Sequence, residues 1–193
     1  AITSFRSYTI DQIATLTPDE IKSANAAAIT TLTTAQIREL SPEQIAAIGR
    51  TDTGYDSGVI TSLSGAHLGA LTPYQAQFGF TTGQINALSS SQLKSLTTAQ
   101  LGALAYEQID AIKTADIKVL STAQLKVLSA DQIKALEDNA GDQLTSIQIQ
   151  ALTSGQLGAV STFSTNQIKA LATNQIQSLS EEQLRTLSTA QVG

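Results

Sequence analysis

The sequence predicts an all-α solenoid, a superhelix of short capped helices with one helix per eight-residue repeat. Three observations predict it: an octad repeat that fills the chain, helix-capping residues at fixed places within it, and charges sorted along it. Ser121–Leu128 (S-T-A-Q-L-K-V-L) and Ser129–Leu136 (S-A-D-Q-I-K-A-L) display the period, whose consensus is S/T-x-x-Q-I/L-x-A-L. With its slots numbered one to eight, octads begin at residues 1, 9, 17, 25, 33 and 41, then at 56, 64 and 72. They continue at 81 and every eighth residue to 153, and finally at 164, 172, 180 and 188. The phase slips across Gly49–Tyr55, near Phe80 and at Ser161–Phe163, so residues 1–193 read as one octad array with three interruptions.

The apolar slots select the element. Slot five holds Ile13, Ile21, Ile29, Ile37 and Ile45 in the first run, and slot eight is mostly Leu. A β-strand would throw slots five and eight to opposite faces, because its side chains alternate. One long α-helix fails as well: eight residues leave about 80° of drift per repeat, and no apolar stripe survives. A short helix inside each octad places slots five and eight on one face, three residues apart.

Each helix is expected to start after slot one. That slot is Ser, Thr, Asn or Asp in eighteen of the twenty-three octads, the residues that best satisfy free N–H groups at a helix start. Slot four is Gln in sixteen octads, which completes the capping box. Pro18, Pro42 and Pro73 all fall in slot two, the first helical position, where a missing N–H costs nothing. Nine of the eleven bases occupy slot six, and twelve of the sixteen acids lie in slots one to four. Acids early and bases late is the polarity that a helix dipole favours, so each octad behaves as its own helix. Helices this short do not hold alone in water, and stacking of slots five and eight on a shared core must stabilise them. Small slot-seven residues such as Ala47, Ala87, Ala103 and Ala135 would let neighbouring turns approach closely.

Composition narrows the chemistry. The net charge is −5, a poor basis for gripping phosphate backbones, so no nucleic acid partner is expected. Cys, Met and Trp are absent and His occurs once, which removes thiolate catalysis, cysteine metal clusters and disulfides. No stretch approaches the roughly 18–20 apolar residues of a membrane span. No signal-peptide pattern opens the chain, and the missing initiator Met suggests an excised or processed segment. No nucleophile–base pair or phosphate-cradling loop is present, so a non-enzymatic protein is expected.

A few residues invite a functional reading. His67, the single imidazole, sits in slot four and could ligate heme iron or a metal, but its slot favours the role of a substituted cap partner. Asp52 and Asp56, in and beside the Gly49–Tyr55 insertion, could help hold calcium, although EF-hand spacing is absent. Asp138 and Asp142, in the acidic run Glu137–Asp142, form a second weak calcium candidate or mark a kink. Lys118, Lys126 and Lys134 continue the slot-six stripe, which either meets an acidic partner or merely complements the helix dipoles. Tyr74, Phe78 and Phe80 gather at one phase slip and Phe163 marks another; they are expected to plug the core there, and if exposed would form a recognition patch. The Gln column is expected to be fully occupied by capping.

The runs Leu32–Ile37 (L-T-T-A-Q-I) and Leu96–Leu101 (L-T-T-A-Q-L) resemble the "LTTAQIxAL" tandem arrays of large bacterial secreted or surface proteins. Those proteins carry adhesin, hemagglutinin or heme-utilisation labels. The resemblance implies an extracellular, non-catalytic module: a scaffold or spacer that meets a protein or cell-surface ligand. A heme- or metal-acquisition module and a calcium-stabilised segment are the alternative expectations.

Overall fold

A computed structural model describes residues 1–140 and 143–192, and among them the chain is α-helical with a single isolated antiparallel bridge. It divides into two compact units, residues 1–104 and 105–193, rather than at any of the three phase slips. The boundary coincides with Ala105, a slot-one residue whose side chain cannot cap a helix.

The first unit holds α1 (Ile10–Thr15), α2 (Pro18–Lys22), α3 (Ala26–Ile29), α4 (Thr34–Glu39) and α5 (Pro42–Ala47). It continues with α6 (Ser57–Thr61), α7 (Gly65–Ala70), α8 (Pro73–Gly79), α9 (Thr82–Ala87), α10 (Ser90–Ser95) and α11 (Thr98–Ala103). The second holds α12 (Tyr106–Asp110), α13 (Thr114–Ile117), α14 (Thr122–Lys126), α15 (Ala130–Ala140) and α16 (Ser146–Ala151). After them come α17 (Ser154–Leu157), α18 (Thr165–Ala170), α19 (Thr173–Gln177), α20 (Glu181–Arg185) and α21 (Thr189–Val192).

Each octad starts and stops itself. In α5 the Ser41 hydroxyl accepts from Gln44 N–H at 3.2 Å and the Gln44 side-chain oxygen accepts from Ser41 N–H at 2.7 Å. The helix ends when the slot-eight N–H turns back to the slot-five carbonyl, as Ile48 does to Ile45 at 3.1 Å, and Ile48 itself is extended. Where Ala105 and Ala172 replace the capping hydroxyl, the reciprocal half survives: Gln108 and Gln175 still accept from their N–H groups.

Slots five and eight form the core. Ile13, Ile29, Leu101, Leu125 and Ile149 are fully buried, and slot-eight leucines such as Leu40 and Leu120 nearly so. In slot seven, Ala47 and Ala135 are buried and Ala87 and Ala103 half-buried, as close turns require. In the first unit every helix stacks on the one three positions later, α1 on α4, α2 on α5 and so on to α8 on α11, so about three octads complete a superhelical turn. In the second unit α12 and α13 pack on α15, α14 on α16, α15 on α17, α16 on α18 and α18 on α21.

Two octads depart from expectation. Residues 1–8 form no helix, yet Phe5 fills the slot-five place at 0% exposure. In the octad at 137 the preceding helix does not stop: α15, eleven residues long, runs on into it as far as Ala140. Its slot-one residue is Glu137, whose buried carboxylate accepts from Ser161 N–H at 2.6 Å and Thr162 N–H at 3.3 Å instead of capping its own octad.

The phase slips are absorbed in three ways. Gly49 turns left-handed at φ +69°, Arg50 and Tyr55 form the isolated bridge, and the loop closes on Asp56 N–H and the Gly49 carbonyl at 2.6 Å. At Phe80 the extra residue lengthens α8 to seven, and Gly79 lies so close to Ile45 that a Cβ would come within 2.9 Å of it. Phe80 and Phe163 are buried and do plug the core. Tyr74 and Phe78 do not: they are 62% and 57% exposed, because slots three and seven of α8 face away from the core.

Candidate functional site

The most regular chemical feature is a buried ladder of side-chain amides. The short helices leave two kinds of orphan group, N–H at the start and C=O at the end. One slot-four Gln satisfies both. Its oxygen takes the cap N–H of its own octad, and its Nε2 donates to the slot-five and slot-eight carbonyls four octads earlier. Gln44 reaches Ile13 and Leu16 at 2.9 and 2.7 Å, and Gln84 reaches Ile45 and Ile48 at 2.6 and 3.0 Å. Gln100 bonds Leu68 and Leu71, and in the second unit Gln148 bonds Ile117 and Leu120 while Gln156 bonds Leu125 and Leu128. Capping therefore explains only the oxygen; the sequence gives no sign of the Nε2 partners, which lie some thirty residues away.

The 161–163 insertion joins this scheme as a truncated octad. Phe163 supplies the slot-eight carbonyl, which accepts from Gln191 Nε2. Gln175 and Gln183 then reach only three octads back, to Ile149 with Leu152 and to Leu157 with Val160.

His67 is a rung of the same ladder. It is 8% exposed, its Nδ1 lies 3.1 Å from Ser64 N–H and its Nε2 lies 2.8 Å from the Leu32 carbonyl. The first contact needs an acceptor and the second a donor, so the neutral tautomer with its proton on Nε2 satisfies both. With both nitrogens engaged, neither points at a ligand.

The acidic candidates do not converge. Asp56 caps α6, accepting from Gly58 N–H at 2.8 Å and Val59 N–H at 3.4 Å. Asp52, 94% exposed, pairs with Lys22 at 2.7 Å, and that ammonium holds its carboxyl below the usual range. Lys22, Arg50 and Thr51 border two adjoining clefts of about 270 and 440 Å³ beside the loop. Asp138 accepts from Tyr106 O–H at 2.5 Å and from Lys134 Nζ at 2.9 Å. These bonds lower the Asp138 carboxyl and push the Tyr106 phenol up to about 12. Asp142 lies outside the described residues. Among the described residues no three His, Asp or Glu side chains gather as metal ligands would.

The slot-six lysines are exposed but distributed. Lys118 follows α13 and Lys134 sits on α15, which pack together, whereas Lys126 is on α14, which packs on α16. Of these, Lys134 is held in the Asp138 pair. Tyr74 and Phe78 are brought together: their rings lie 4.7 Å apart at 43° on α8. No described helix is long and apolar enough to cross a membrane.

Fold and ladder together define an α-solenoid repeat protein. A family model described as the ALTTAQ repeat matches residues 109–139, within the second unit, and this stretch of the chain is similar to that repeat. No curated protein matches the chain.

Proposed function

We propose that the chain is a non-enzymatic scaffold or spacer of a bacterial secreted or surface protein, presenting contacts for adhesion or protein binding. The ladder supports this reading, because the buried amides that a ligand site would use are spent on tying one turn to the next. The observation that carries it is the Tyr74–Phe78 pair: two large rings 62% and 57% exposed, side by side with centroids 4.7 Å apart on one helix. Exposed, preordered aromatics are the side chains that anchor protein contacts.

Beads coated with the chain should adhere to at least one surface in a panel of defined matrix proteins and glycans. The Tyr74→Ser/Phe78→Ser variant should lose that adherence while keeping its helicity. Equal adherence of the two proteins would remove the ring pair from this reading, and adherence no better than bare beads would remove adhesion altogether. Antibody labelling of intact, unpermeabilised producing cells tests the surface location.

A further inference from the structure

The insertion that follows α5 builds a polar cleft. Stacking of α2 on α5 sets Lys22, the last residue of α2, beside the Gly49–Tyr55 loop. The loop backbone holds Arg50 in place: its N–H donates to the Ala47 carbonyl at 3.1 Å, it bridges Tyr55, and Thr51 N–H closes on the Gly54 carbonyl at 2.8 Å. Glycine is required at the bend, since at the φ of +69° a Cβ on Gly49 would come within 2.9 Å of Ile60. Lys22, Arg50 and Thr51 line both adjoining clefts, and the larger, about 440 Å³, is of the size that holds a small molecule.

The walls carry unspent hydrogen-bonding groups. Among the described residues the Arg50 guanidinium, the Thr51 hydroxyl and the Asn25 side-chain nitrogen have no partner. The starts of α3 and α6 are already taken, by Asn25 Oδ1 on Ala28 N–H at 2.8 Å and by Asp56 on Gly58 N–H at 2.8 Å. Asp19 and the second Asp56 oxygen are left as acceptors. Lys22 already holds a carboxylate, and it is the chain's own: Asp52 lies 2.7 Å from its Nζ yet is 94% exposed, so a competing carboxylate meets little resistance.

We propose that this cleft binds a hydroxylated monocarboxylate of sugar size, a uronic acid free or at the end of a glycan, whose carboxylate sits between Arg50 and Lys22 in place of Asp52. The guanidinium fork matches a carboxylate with two parallel bonds. Ligand hydroxyls donate to Asp19 and Asp56 and accept from Thr51 and Asn25. A dianionic phosphate is disfavoured by the same aspartates, and a flat apolar ligand finds no aromatic ring in these walls. Neither Tyr74 nor Phe78 lines the cleft, so the assignment is independent of the adhesion reading.

Nuclear magnetic resonance titration of the chain with glucuronate, with glucose as neutral control and a glucose phosphate as dianion, tests it. Glucuronate should give saturable shifts centred on residues 22–26 and 49–59, and glucose none. Lys22→Gln and Arg50→Gln should each weaken binding about tenfold. Asp52→Asn, which frees Lys22, should tighten it about two- to fivefold. Tyr74→Ser/Phe78→Ser should leave it unchanged. All four substituted proteins should keep the parent helicity, because none of these side chains is buried. An oligosaccharide ending in glucuronate that binds more tightly than the free acid identifies a glycan end as the source; equal affinity identifies the free acid. Shifts that do not saturate, equal response to glucose, tighter binding of the phosphate, or affinity indifferent to the Arg50 and Asp52 exchanges each overturn the proposal.

Discussion

At His67 an imidazole does with two nitrogens what glutamine does with one amide, because both place an acceptor and a donor at opposite edges of a flat group. His67→Gln should leave thermal stability unchanged or slightly higher. His67→Leu strands the Ser64 N–H and the Leu32 carbonyl and should cost about 2–3 kcal/mol by denaturant titration. Slot four alone identified this residue as a cap partner, but its bond to Leu32 was not legible, since that carbonyl is 35 residues away. Tyr106 offers a second test. Its phenol is raised to about 12 by the hydrogen bond to Asp138, and free tyrosine titrates near about 10. The folded form holds the proton more tightly, so this contact contributes below the free value and is lost as pH rises through the folded one. Ultraviolet titration of the phenolate should show one late tyrosine, which Asp138→Asn returns towards the others. The pairing was unreadable because Tyr106 and Asp138 are 32 residues apart.

At the scale of one element, two substitutions separate the two roles of an octad's polar residues. Thr81→Ala removes only the hydroxyl that caps α9 and should cost about 1 kcal/mol. Gln84→Glu keeps the cap acceptor but sets a carboxylate against the Ile45 and Ile48 carbonyls in a 0% exposed position. It should cost more, about 3 kcal/mol or above, because the buried carboxylate oxygen that replaces Nε2 meets two carbonyl oxygens and no donor. Chemical denaturation of the two variants side by side ranks them; a Thr81 cost equal to or above the Gln84 cost would show that capping dominates. The helix starts were legible from Ser, Thr and Pro in slots one and two. The run-through of α15 was not, because Glu137 is diverted by Ser161 and Thr162, a contact that exists only once the turns are stacked.

At the scale of the whole molecule, neighbours in the stack hold one another, so damage to one turn spreads to the next. Replacing Leu120, Leu128 and Leu136, each 1–3% exposed, with Ser should unfold the second unit around α13–α16. Amide exchange should lose protection there and in the packed partners α17 and α18. Protection unchanged from the parent chain would mean that slot eight does not hold the stack.

The sequence by itself determined the period, the helix starts, the apolar slots and the places where the phase breaks. All of these are local, set by residues within one octad acting on backbone a few positions away. Tertiary structure decided how many octads make a turn, where the Gln Nε2 groups find acceptors, which aromatics plug the core and which stay outside. Those depend on groups about thirty residues apart meeting between stacked turns, and an octad repeated so evenly carries no mark of which distant copy will be its neighbour.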